Sequence, residues 1–205
     1  MEPGAGETVS TDVVDYYKRG WVEVQKNLVG WALYYTAFMG ITIFTCGLGG
    51  ILYPNVVREA RTVARDGGGP QLGSLFNTEH LTNDLVNYLI YYGGMMAGSA
   101  AGGVGGIVAA VLLQLQMPMA AEDRYSPVDN AKLSLQHVSE HPADHFIFIL
   151  MTYALTLPAI MLCLLPLPIV GPVVVMAHWL WYEDLRAELD TYAENKDIKL
   201  LSGPA

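Results

Sequence analysis

Apolar and polar positions are sorted along this chain into three long charge-free blocks, Leu28–Val57, Leu85–Ala121 and His145–Tyr182, separated by charged stretches rich in turn residues. From Phe146 to Tyr182 there are 37 residues without Asp, Glu, Lys or Arg. A straight helix of that length would run to roughly 55 Å. A bilayer's hydrocarbon core is about 30 Å thick, so one crossing is too few and two fit if the stretch turns near its centre. That centre, Leu165–Pro172, holds three prolines, which remove backbone donors and restrict the residues before them. The pattern predicts a hairpin, Phe146–Leu164 going in and Pro172–Tyr182 coming back. Leu85–Ala121 is equally long, and Gly94, Gly98, Gly102, Gly106 and Ala110 recur in it every four residues. Such a ridge lets a neighbouring backbone approach closely, and it predicts tight helix packing or assembly into a homo-oligomer. With Ser99–Gly106 as the bend, this block too reads as a hairpin whose legs pack through the glycines, one long oblique helix being the alternative. Leu28–Val57 reads as a hairpin or re-entrant pair bent at Gly47-Leu48-Gly49-Gly50, against a single tilted helix. The expected fold is all-α: a polytopic membrane bundle of about six helices as three hairpins.

The stretches between the blocks predict two interfacial amphipathic helices. Val13, Tyr17, Trp21, Val24 and Leu28 line one face of the first, after caps at Ser10, Thr11 and Asp12. It lies in the membrane interface or else packs on its own protein. Ser126 as cap and Pro127 at the first helical position start the second. Its apolar face is Val128, Ala131, Leu135 and Val138, and Pro142 ends it. Glu183–Asp197 reads as a charged exit helix. Trp21, Trp31, Trp179 and Trp181 are expected as interfacial anchors. Residues 1–11 read as disordered, 12–192 as one membrane domain and 193–205 as a tail. The order of interfacial helix, bent block and charged exit occurs twice, compatible with an internal duplication.

Composition sharpens this. Only 15% of the 205 residues are charged, and all eleven Lys/Arg and twenty Asp/Glu lie outside the blocks. Ordinary soluble domains carry roughly 25% charge. The net charge of −9, with no basic stripe, argues against nucleic acid as a partner and leaves the lipid bilayer. Arg58, Arg61 and Arg65 read as a membrane-flanking set. The positive-inside tendency disfavours placing equal basic sets on opposite faces of an inner (cytoplasmic) membrane. No cleavable signal peptide or lipidation signature is evident, so the first block serves as an uncleaved insertion signal. Cys46 and Cys163 read as small buried hydrophobes, able to pair only on an oxidising side.

The run Asp129–Ser134, followed by His141-Pro142 and Phe146 and closed by Gly171-Pro172 and Tyr182–Arg186, resembles the lead-in and exit of certain prokaryotic multi-pass membrane families. These include the membrane domain attached to some glycerophosphodiester phosphodiesterases and several uncharacterised relatives. Tyr53–Arg65 with the Gly-rich loop after it is similar to one of the uncharacterised groups. The resemblance implies about six helices with cytoplasmic termini and supplies no catalytic residue.

One cluster carries candidate chemistry. His137, His141 and His145 are spaced four apart, which would stack three imidazoles on one helix face as metal ligands were Pro142 not between the last two. Their first reading is structural, at the point where the second interfacial helix meets the membrane. His178 is the one imidazole within a membrane leg, expected neutral near the interface. The Asp66–Pro70 loop lacks the Gly-Lys-Ser/Thr of a phosphate cradle, and neither nucleophile motifs nor cofactor fingerprints occur. An enzyme is not expected, and no cofactor. A membrane-organising scaffold is the first expectation, a small channel or transporter subunit for a neutral or apolar solute the second.

Overall fold

A computed structural model describes residues 13–162, 164–196, 198 and 201. The expected disordered start, the caps at Ser10, Thr11 and Asp12, the pairing of Cys163 and most of the tail lie outside them. The described chain is all-α, without strands: α1 (Val13–Gln25), α2 (Leu28–Phe44), α3 (Tyr53–Asp66), α4 (Leu81–Ala100), α5 (Gly103–Leu112), α6 (Gln116–Glu122), α7 (Pro127–Glu140), α8 (Pro142–Met161) and α9 (Leu167–Asn195), with 3₁₀ turns at Leu48–Leu52 and Leu72–Phe76.

Each charge-free block does turn back. In the first, α2 ends in a left-handed turn, Cys46 at φ 51° and Gly47 at φ 96°. The return is only the five-residue 3₁₀ turn before α3 begins. In the second, Gly102 at φ 138° joins α4 to α5, a conformation open mainly to glycine. In the third, Leu164 at φ 68° makes the turn, earlier than the proline-rich centre predicts. Pro168 lies in the first turn of α9, where a proline loses only an already orphaned donor, and Pro172 lies inside the helix.

Two stretches are long and apolar enough to cross a membrane, Val104–Glu122 and Pro142–Met161, or three if α1 and α2, bent by 102°, count as one. That is fewer than the six expected. For two of the remaining legs the reason is length: α2 has 17 residues and the first return leg has five. The legs are short arms of hairpins more often than complete spans. The predicted exit helix is not separate either. Nothing between Tyr182 and Glu183 breaks the ladder, so α9 runs 29 residues, about 44 Å.

The segment of α9 from Gly171 to Tyr182 is buried throughout and forms the centre of the molecule. Helix α1 lies along it through Val13, Tyr16, Tyr17, Gly20 and Val24. A Cβ at Gly20 would stand 3.0 Å from Ala177 N and Val173 O, so only glycine admits this approach. Of α1's two expected placements, packing on its own protein is what the burial shows. The Tyr35 ring of α2 lies flush against Gly171. Trp31, Trp179 and Trp181, expected as interfacial anchors, are core residues, and only Trp21 is exposed. Indoles sit well at an interface, but they also supply the largest apolar area a core can bury.

Candidate functional site

The glycines at the middle of the chain meet each other across one hairpin. Gly98 on α4 stands against the backbone of Gly105 on α5, Gly106 against Ser99, and Gly94 against Leu113. The four-residue ridge is therefore divided by the turn at Gly102, and its two halves face inward to close one hairpin.

Helix α7 starts as its residues dictate. Ser126 accepts from Asp129 N, and Pro127 occupies the first turn. Its orientation is the reverse of an ordinary amphipathic helix. Asn130, Ser134 and His137 are buried with Leu133 and Val138, whereas Val128 and Leu135 stand exposed. Several of these buried polar groups find partners on neighbouring helices, although Asn130 Oδ1 and His137 Nε2 do not. Asn87 Oδ1 on α4 accepts from Gln116 Nε2 and Asn130 Nδ2, each at 3.2 Å. Ser134 Oγ accepts from Leu115 N at 3.2 Å and donates to Leu112 O at 2.9 Å. These are the two backbone groups left open where α5 gives way to α6, so one hydroxyl mends the break.

The histidines form a chain along the same seam. His137 Nδ1 lies 2.8 Å from His145 Nε2. His145 Nδ1 lies 3.1 Å from Gln114 Oε1. His141 Nε2 lies 2.9 Å from Glu188 Oε1 on α9, and His137 Nε2 lies 3.6 Å from Glu188 Oε2. Pro142 does separate the helices, since His141 closes α7 and opens α8. Yet the turn brings His145 back onto His137. Of the three histidines expected as metal ligands, His137 and His141 converge with Glu188, and His145 stands behind them as a hydrogen-bond partner. Burial pushes His137 below the ordinary imidazole range, against the opposing field of Glu188. Burial also pushes Glu188 up, but Tyr192, His141 and His137 together hold its carboxyl below the usual range.

Behind Gln114 lies a cavity of about 220 Å³, lined among others by Tyr53, Tyr91, Tyr92, Phe148, Thr152 and His178. His178 is buried rather than interfacial, its ring 5.3 Å from that of Phe148, and its Nε2 has no hydrogen-bond partner. Phe148 stacks on Trp181 at 4.4 Å.

Charged residues tie the helices together on both sides of Glu188 and around α3 and α4. Arg58 on α3 grips Asp84 on α4 with two bonds of 2.7 and 2.8 Å and donates to Ala120 O at 3.0 Å. Glu122 is buried, accepts from Tyr182 Oη at 2.7 Å and pairs with Arg186. Arg124 and Tyr125 both reach Asp190, and His80 reaches Asp123 at 2.8 Å. Among the described residues, Cys46 is a free thiol exposed at the first turn.

Sequence reasoning missed Gln114 and Glu188. Gln114 carries a signal, being one of very few amide side chains in a charge-free block; Glu188 carries none, since only the fold brings it to α7. Comparison with family models, curated proteins and solved structures returns no match.

Proposed function

We propose that this chain is an integral membrane protein that inserts three uncharged hairpins into a bilayer from one face and organises the membrane there as a non-enzymatic scaffold. One observation carries the reading, the separation of the two kinds of surface. The hairpin turns are apolar and open, with Phe44 91%, Met161 83% and Leu165 80% exposed, while the ion pairs gather at the other end of the helices. Of the apolar stretch of α8 only 17% is covered by protein, against 61% for 104–122. A surface of this kind in water is an aggregation site; in lipid it is solvated.

In this reading six legs enter the membrane: α2 and its 3₁₀ return, α4 and α5–α6, and α8 and the first half of α9. Helices α1 and α7 lie beside them with Trp21, Val22, Val128 and Leu135 toward the headgroups. Arg58, Arg61, Arg65 and Lys132 share the cytoplasmic side of an inner membrane. Because the glycines close the hairpin internally, self-association would use the outward side chains of α4 and α5, Met96 and Val104 among them.

The test has two parts. In inverted vesicles an impermeant thiol reagent should label Gly68→Cys and Asp129→Cys from one side, in a Cys46→Ser, Cys163→Ser background. In liposomes the purified protein should change vesicle size or curvature. Labelling from opposite sides would overturn the hairpin topology, and unchanged vesicles the organising role.

A second reading, binding or passage of a small neutral solute, is supported by the tyrosine-lined cavity. It predicts solute flux in proteoliposomes that Tyr91→Trp diminishes; absence of flux for every solute class would discard it.

A further inference from the structure

His137 Nε2 has no hydrogen-bond partner although its side chain is only 2% exposed. In the arrangement where Gln114 Oε1 accepts from His145 Nδ1 at 3.1 Å, His145 Nε2 accepts from His137 Nδ1 at 2.8 Å and a bare lone pair is left on His137 Nε2. His137 Nε2 lies 3.6 Å from Glu188 Oε2. A cation between the two, a proton or a metal ion, would offset their repulsion.

The surroundings supply the rest of a coordination shell. His137, His141 and Glu188 each offer one ligand atom, all within 4.8 Å of one another. A tetrahedral centre with bonds of about 2.0–2.1 Å places its ligand atoms about 3.4 Å apart. The 3.6 Å from His137 Nε2 to Glu188 Oε2 and the 2.9 Å from His141 Nε2 to Oε1 lie on either side of that value, and the three ligand atoms, within 4.8 Å of one another, would draw together around an ion. The two histidines are four residues apart on one face at the end of α7, a spacing that suits two imidazoles on one ion. His137 has the outer support that metal-bound histidines usually have, its other nitrogen donating to a fixed partner. The Tyr192 hydroxyl lies 2.6 Å from Glu140 and 2.5 Å from Glu188. Its single proton can serve only one of them, so the rim keeps uncompensated negative charge.

We propose that His137, His141 and Glu188 form a binding site for one divalent transition-metal ion of the zinc type, with a fourth position open to water, clamping α7 to the charged end of α9. Imidazole with one carboxylate selects such an ion over calcium or magnesium, which take oxygen ligands. The site lies outside the charge-free blocks and is independent of how deeply the hairpins insert.

The test uses the untagged full-length chain in detergent or nanodiscs, stripped with chelator and incubated with Zn²⁺ or Co²⁺. The expected result is one equivalent of metal retained through gel filtration, with the visible absorption of four-coordinate Co²⁺. His141→Ala and Glu188→Ala alter half-exposed side chains and should keep the helical signal of the parent while lowering occupancy at least ten-fold. Cys46→Ser should bind as the parent does. Bound metal should also raise the unfolding midpoint of the parent and not of Glu188→Ala. No retention by folded parent protein would overturn the proposal and identify the opposite hydrogen-bond direction, with Gln114 donating and His137 Nε2–H directed at Glu188. Retention undiminished in both variants would overturn it equally.

Discussion

The first and last hairpins enter on arms of similar length and leave on very different ones. Ten residues, 48–57, separate the turn at Gly47 from the first charge, Arg58; eighteen, 165–182, separate the turn at Leu164 from Glu183. The last hairpin uses its longer arm to bury Gly171–Tyr182 against α1, α2 and α8 and is held by contact area. The first has no such arm. It is held by polar latches: Arg58 on Asp84, and Asn55 donating to Leu75 O and Asn77 O at 3.1 and 2.8 Å. In this molecule the hairpin with the longer apolar arm is held mainly by packing, and the one with the shorter arm adds polar latches to the packing of Val56 and Val57. The middle hairpin is a third solution, fixed by backbone on backbone at Gly98 and Gly105.

The largest break in this comparison is Arg58→Met, which leaves Asp84 buried and unpaired; a loss of about 3–5 kcal/mol is expected in reversible unfolding in bicelles. Arg19→Ala, at the exposed pair with Asp184 beside the last hairpin, should cost under about 1 kcal/mol. Equal losses would erase the distinction. Gly98→Val forces the middle hairpin apart and should cost about 3 kcal/mol. Gly93→Ala, which meets nothing within 4 Å, should stay within about 0.5 kcal/mol of the parent. Leu164→Gly relieves a left-handed leucine at the last turn and should stabilise by about 1 kcal/mol. The smallest effect concerns α7, where Lys132 and then Ser126 hold the Asp129 carboxyl below its ordinary range. A depressed carboxyl stabilises the folded chain above the unfolded pKa of about 3.9, and that contribution is lost as pH falls through the folded value. Asp129→Asn should therefore cost about 0.5 kcal/mol at pH 7 and nothing at pH 2, read as the difference between two denaturant midpoints.

Much of the architecture was legible in local chemistry. Charge-free length announced the three reversals, and Gly47 and Gly102 marked two of their turns within the expected stretches. Ser126 and Pro127 placed the start of α7. The third turn was misplaced because prolines were read as breakers, though Pro168 sits in the first turn of α9, where a helix tolerates it, and α9 continues through Pro172. The tryptophans were misplaced because amphipathic rings suit a headgroup layer and a core alike, and only tertiary packing chooses. Periodicity gave α7 an interfacial apolar face; its buried polar face, Asn130, Ser134 and His137, was not legible because it is defined by partners on other segments, Asn87, Leu112 with Leu115, and His145. For the candidate metal site, the two histidines were visible and the carboxylate was not.

The hydroxyl that joins the broken helix at Leu112 and Leu115 belongs to Ser134, which leaves the ribosome some twenty residues later than the groups it serves. Until α7 has emerged and docked, that amide and carbonyl of the second hairpin lack their hydroxyl partner. Maturation of that hairpin is thus tied to a later part of the same nascent chain, and a truncation after residue 125 should give a hairpin that inserts yet stays exposed to quality-control proteases.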